Sequence, residues 1–247
     1  MATICNGVKG ATTNRKLTTQ ASPIDDSDPR VRVPLYSVQE AARYLGMPYE
    51  TLRGWIRPDA HKAPLVTAFA ASGQQATIPF IGFAEAFVLQ VARRAGVPNN
   101  RIRPGVEVVR QELGIEHALA SHRLYTDGAE LLIQRASEEA DLEVARRRQQ
   151  QLTETVRGQL ALITYAGDGY ASRLQLPNYD ITDVVVDPQV AFGYPIVMKS
   201  GVRVKDVLDR FWAGDAVDSI AYDFDLPRPQ VEDLLRAETR PPSRAAA

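Results

Sequence analysis

With 247 residues, 45% of them hydrophobic, and a formal net charge of −1, the chain has the length for two modest domains and the composition of an ordinary globular protein. No apolar run approaches the roughly 20 residues that span a bilayer, and the N-terminus has no apolar core of a signal peptide, so a cytoplasmic protein without a membrane partner is expected. A single cysteine, Cys5, excludes a disulfide framework within one chain, and the three histidines (His61, His117, His122) are scattered, so neither a metal nor a cofactor is expected.

Residues 1–34 are rich in Thr, Ser, Asn, Asp and Pro without periodicity and read as a disordered leader. At Ser37 the pattern changes. Ser37-Val38-Gln39-Glu40 is a capping box, and Val38, Ala41, Ala42 and Leu45 recur at helical spacing until Gly46. Pro48 opens a second helix, Tyr49 to Ile56, with Leu52 and either Trp55 or Ile56 turned inward. Two β-prone stretches, Leu65 to Ala70 and Ala76 to Ile81, flank Ser72 to Gln75 and read as a hairpin or wing. Helices are expected from Gly82 to Ala95 and from Asn100 to Leu113, the latter kinked or started late by Pro104.

Asp127-Gly128, between Leu124-Tyr125-Thr126 and Glu130 to Gln134, reads as the turn of a hairpin, and Ser137 to Gln159 as helix. Gly167-Asp168-Gly169 predicts a further hairpin between Leu160–Ala166 and Tyr170–Leu176. Short strands follow at Val184–Val186 and Pro195–Met198. Three helices then close the chain: Val204–Trp212, Ala216–Asp223 and Pro229–Glu238. The fold class is therefore mainly α with small β-hairpins, an N-terminal winged helix-turn-helix plus a C-terminal three-helix domain. The corresponding segments are a leader (1–34), the winged domain (35–135), a helical and hairpin linker (136–180), the helical domain (181–238) and a flexible tail (239–247).

Two helices joined by a short glycine-containing turn have the proportions of a DNA-reading unit whose second helix enters the major groove by its N-terminal residues. Those residues are Tyr49, Glu50, Thr51 and Arg53. Arg53 suits a guanine or a phosphate, Arg43, Arg57 and Lys62 suit phosphates, and Gln74 and Gln75 at the hairpin tip suit the minor groove or backbone. On these residues alone, an αα-hairpin with solvated arginines is an equal alternative. Residues 37–113 carry nine basic against six acidic side chains and residues 181–247 eight against eleven, which ranks the first half as the nucleic-acid side.

Leu35 to Gly46, followed by Thr51-Leu52-Arg53-Gly54-Trp55, resembles the opening of MerR-like and excisionase-like winged-helix domains. Val186-Asp187-Pro188, Phe192 to Val197, Gly201 to Val204, Gly214-Asp215 and Ile220 to Asp223 resemble the small helical module of Vap-type antitoxins. The stretches around Phe80–Gly96, Leu113–His117 and Tyr125–Gly128 resemble the linker of the same antitoxin type. The resemblance implies a non-enzymatic antitoxin of a type II toxin–antitoxin system. Such a protein binds double-stranded operator DNA, represses its own operon and neutralises a cognate PIN-domain ribonuclease toxin; a stand-alone MerR-like transcriptional regulator is the alternative.

A PIN-type site is a carboxylate cluster that holds magnesium, so Arg236, Arg240 and Arg244, four residues apart, are expected toxin-binding groups, with an inert solvated tail as a nearly equal alternative. A homodimer is expected because one such unit reads only a few base pairs; the apolar helix Phe83 to Ala95 is a candidate interface, though core is the favoured reading for it. No catalytic motif is recognisable. The acids Asp215, Asp218, Asp223 and Asp225 could in principle hold magnesium, but Asp215 and Asp218 flank a helix start and read as acids that meet the helix dipole.

Overall fold

In the computed structural model, residues 24–57, 63–70, 77–129, 132 and 152–239 are described. Proline at the first helical position and an Asp28 side chain that accepts from the Arg30 amide at 2.8 Å nucleate a short helix α1, Pro29–Arg32. Strand β1, Pro34–Tyr36, follows, then α2, Val38–Leu45, and α3, Tyr49–Ile56. Strand β2, Ile78–Pro79, runs straight into α4, Phe80–Arg94, which is followed by α5, Asn99–Leu113. Beyond a 3-10 turn at Ala118–Ala120 and a π-helical turn at Leu124–Gly128, residues 152–160 form α6. An antiparallel sheet comes next in the order β3 (Ile163–Tyr165), β4 (Ala171–Gln175), β5 (Val184–Val186), β6 (Ile196–Val197). The chain ends in α7 (Val204–Trp212), α8 (Val217–Asp223) and α9 (Arg228–Thr239).

The core centres on α4, in which every residue from Phe80 to Ala92 is buried, Glu85 and Gln90 included. Of the two readings of Phe83 to Ala95, core or dimer interface, the burial of Phe80 to Ala92 supports core. Pro104 lies inside α5 at its sixth position, past the first turn, with Gly105 beside it, whose added Cβ would stand 3.1 Å from Leu132. In the C-terminal module Val204, Val207, Leu208, Ile220, Leu226, Val231 and Leu234 are buried, as the apolar spacing of the three helices predicts.

Three expectations are overturned. The latter part of the presumed leader is ordered: Ile24 and Val31 are buried, and Arg30 pairs with both Asp28 and Asp168, tying the N-terminal segment to the β3–β4 turn. The second arm of the presumed wing pairs with a strand that precedes the helix-turn-helix, Tyr36 opposite Ile78. The two arms themselves share the bond from the Phe69 amide to the Thr77 carbonyl, 2.8 Å. Asp127-Gly128 closes a π-helical turn, not a hairpin, because Gly128 packs where a Cβ would lie 2.9 Å from Leu124. That glycine serves close packing rather than a reversal of chain direction.

The wing base is fixed by a buried polar knot. Glu85 accepts from the Thr67 amide at 2.7 Å, and His117 Nδ1 lies 3.2 Å from Glu85 and 3.1 Å from the Thr67 hydroxyl. Burial pulls the His117 pKa down, yet the Glu85 carboxylate outweighs it and holds the imidazole above its usual 6.5. A raised folded-state pKa makes the His117 contribution complete below pH 6.5 and lost as pH rises through the folded value. The stability gap between the wild type and His117→Gln, measured by urea unfolding, is therefore expected to shrink from pH 6 to pH 8; a constant gap refutes the assignment.

Candidate nucleic-acid interface

Helix α2 begins at a complete capping box. The Ser37 hydroxyl oxygen accepts from the Glu40 amide at 3.2 Å, and Glu40 accepts from the Ser37 amide at 2.9 Å. It ends at Gly46 in the left-handed region (φ 61°), with the Met47 amide returning to the Ala42 carbonyl at 2.9 Å. The glycine is required twice, since its Cβ would also stand 2.6 Å from the Asn178 side chain. Helix α3 buries Leu52 and Trp55, which settles the inward residue in favour of Trp55. The opposite face of α3, formed by Tyr49, Glu50, Arg53 and Arg57, is exposed. Arg53 lies 3.3 Å from Glu50 one turn earlier, an exposed pair of small energetic weight that a nucleic acid can exchange for its own groups.

The unit is buttressed by residues the sequence reading passed over. Arg93 at the end of α4 donates to the Thr51 hydroxyl at 3.0 Å, and Arg94 donates to the carbonyls of Leu45 and Gly46, both at 3.2 Å. Asn178 donates to the Tyr44 carbonyl at 2.8 Å. The legible signal was the basic pair closing α4. Between Glu85 and Glu107 the chain holds four arginines and no acid, an unusual run for a buried helix and its exit. The Trp55 carbonyl accepts from the Leu65 and Val66 amides at 2.9 and 3.3 Å, so the segment after α3 is stitched to its end. Arg103 and Arg110 hold that segment in turn through the carbonyls of Ala63, Pro64 and Leu65.

Of the residues singled out for DNA contact, Tyr49, Glu50, Arg53 and Arg57 thus share one exposed face. Thr51 is half-buried and engaged by Arg93. Arg43 is drawn elsewhere: its guanidinium pairs with Glu238 of α9 at 2.9 Å and lies 5.1 Å over the Tyr44 ring. Lys62, Gln74 and Gln75 lie outside the described residues. Arg236 is exposed on α9 and paired with Glu232, whereas Arg240 and Arg244 also lie outside the described residues. A cleft of about 590 Å³ separates α2 and the start of α3 from Asn178, Tyr179 and the end of α9.

Of the C-terminal acids read as helix-start groups, Asp218 stands in the first turn of α8, and both Asp215 and Asp218 are also ion-paired. Asp215 and Asp223 both meet Arg210, and Asp218 meets Arg228 at 2.7 Å, while the N-cap of α8 is Ala216 with no side-chain bond. Among the described residues no three His, Cys, Asp or Glu side chains converge on a metal-sized point, and no helix is long and apolar enough to cross a membrane.

A capped helix, a left-handed glycine turn and a second helix with one exposed basic face, braced by a small antiparallel pair, define a winged helix-turn-helix protein of the DNA-binding class. Residues 34–106 match the family model described as "Putative DNA-binding HTH domain", and residues 184–236 match a second model, "Protein of unknown function (DUF433)". The chain is 39% identical over 228 residues to a Mycobacterium tuberculosis protein named "Putative antitoxin VapB45", covering 84% of this chain and 95% of that relative. The chain belongs to the family of that antitoxin. The crystal structure of Rv2018 from Mycobacterium tuberculosis superposes with a TM-score of 0.69 at 38% identity, over 83% of this chain and 99% of that one.

Proposed function

We propose that this chain is the antitoxin of a type II toxin–antitoxin pair: α3 reads operator DNA to repress its own operon, and another surface neutralises a PIN-domain ribonuclease. The observation that carries the DNA half is the exposed face of Tyr49, Glu50, Arg53 and Arg57 on a helix fixed at both ends. Arg53 supplies base or phosphate recognition, Tyr49 and Thr51 the flanking contacts, and Arg57, Lys62, Gln74 and Gln75 the register on the backbone. Arg43 joins them only when it exchanges Glu238 for a phosphate. The toxin half is supported by kinship with the antitoxin, and Arg236, Arg240 and Arg244 carry the charge that a magnesium-binding carboxylate cluster attracts.

The test is a mobility shift on the DNA upstream of the chain's own gene. Arg53→Ala is expected to weaken binding by about 10- to 100-fold, the 1–3 kcal/mol of a base contact, and Arg43→Ala together with Arg53→Ala to reduce the salt dependence as well. Unchanged binding of the double variant would remove Arg43 and Arg53 from the DNA contact, and a wild type that gives no shift would leave only a scaffold. The cleft of about 590 Å³ beside α3 favours a second reading, a stand-alone regulator that senses a small ligand. Co-purification of a PIN-type nuclease with the chain decides for the antitoxin, and its absence for the regulator.

A further inference from the structure

The C-terminal module exposes aromatic rings where its own fold gains nothing from them. Phe192 is 85% and Trp212 63% exposed, with Tyr194 between them in the chain's path. Tyr194, Leu208 and Trp212 line one groove of about 230 Å³, rimmed by Glu40, Arg43, Lys205, Asp209 and Glu238. Phe192 sits at the crest of a turn in which Ala191 (φ 50°), Phe192 (φ 55°) and Gly193 (φ 76°) are all left-handed, and two of these are L residues that adopt it at a cost. The turn is nonetheless rigidly held. The buried Tyr36 hydroxyl donates to the Gly193 carbonyl at 2.8 Å, and the Tyr194 amide returns to Ala191 at 3.1 Å. Below it, buried Asp187 accepts from Arg173 at 3.0 Å and from the Gln189 amide at 2.9 Å. A strained backbone fixed so that a large ring points into solvent is the arrangement of a preorganised anchor.

Charge favours a protein occupant over nucleic acid or anionic lipid. The groove rim holds three acids (Glu40, Asp209, Glu238) against two bases (Arg43, Lys205), and the surrounding residues 204–239 carry nine acidic against four basic side chains. We propose that the Phe192 turn and the Tyr194–Trp212 groove form the docking surface for a protein partner that offers an apolar pocket ringed by basic side chains. The inference rests on the antitoxin reading and takes that partner to be the ribonuclease toxin.

Phe192→Gly separates docking from folding, because glycine accepts φ near 55° without strain. The full chain is co-expressed with the PIN-type protein encoded beside it, and affinity is read by calorimetry. Phe192→Gly and Trp212→Ala are each expected to weaken the complex at least tenfold. Phe192→Gly is expected to leave the melting temperature at or above that of the wild type and the DNA mobility shift unchanged. Asp209→Lys is expected to weaken it further at low salt than at high salt. Wild-type affinity in both aromatic variants overturns the surface while leaving the antitoxin reading intact. A wild-type chain that does not bind the nuclease overturns the reading and the inference with it. A dimer of the chain alone that Phe192→Gly converts to monomer assigns the face to a second copy and also overturns the proposal.

Discussion

Gly82→Ala is expected to destabilise the protein by about 3 kcal/mol and to blunt DNA binding at a site remote from any base. An alanine Cβ there would stand 2.0 Å from the Thr67 carbonyl oxygen, a backbone atom that cannot rotate away. Helix propensity favours alanine over glycine by about 1 kcal/mol, but overpacking a rigid contact costs about 1–3 kcal/mol and more where nothing yields. Here the clash is with the chain itself, so it wins. For a protein of this size the loss corresponds to a fall of about 6–12 °C in melting temperature. Thr67 belongs to the segment whose Leu65 and Val66 amides are bonded to Trp55 at the end of α3, so relief of the clash moves the recognition helix. The mobility shift should weaken in the same variant at temperatures where it remains folded; full binding would show that the segment and α3 move independently.

The second large effect is at Asp233. This carboxylate, 2% exposed on α9, accepts from the amides of Asp180 (3.1 Å), Ile181 (3.1 Å) and Thr182 (2.9 Å). Three backbone donors on one buried carboxylate form a charge-assisted clamp that fastens the segment before β5 to the last helix. Asp233→Ala takes the acceptor from the buried Thr182 amide, and a net loss of about 2–3 kcal/mol is expected by chemical denaturation. Asp233→Asn retains one carbonyl acceptor and should lose roughly half as much. Equal losses in the two variants would mean that shape, not hydrogen bonding, is what matters at this position.

Much of the interface was legible because its signals are local. The capping box at Ser37 and Glu40, the glycine stop at Gly46 and the proline start at Pro48 fix α2 and α3 within a few residues, and the structure places both helices where those residues put them. The three C-terminal helices were legible from apolar spacing for the same reason. What failed depended on distant partners. Ile78 and Pro79 look like the arm of a hairpin, yet the partner that wins is Tyr36, more than 40 positions earlier. Gly128 is a local exception: it follows an aspartate as hairpin glycines do, but packs against Leu124 one helical turn earlier. Arg43 reads as a free cation until Glu238, 195 residues away, is seen beside it. Asp28-Pro29 is a helix-start signal that was present and was masked by the polar composition around it.

The bond between the Tyr36 hydroxyl and the Gly193 carbonyl spans 157 residues and sets a clock on synthesis. A ribosome adds about 5–20 residues each second, so the strand leading into the reading head waits roughly ten seconds or more for its partner to emerge. During that interval the nascent chain carries an unfinished DNA-binding unit. Until Gly193 is in place, Tyr36, immediately ahead of the helix-turn-helix, lacks the acceptor for its buried hydroxyl.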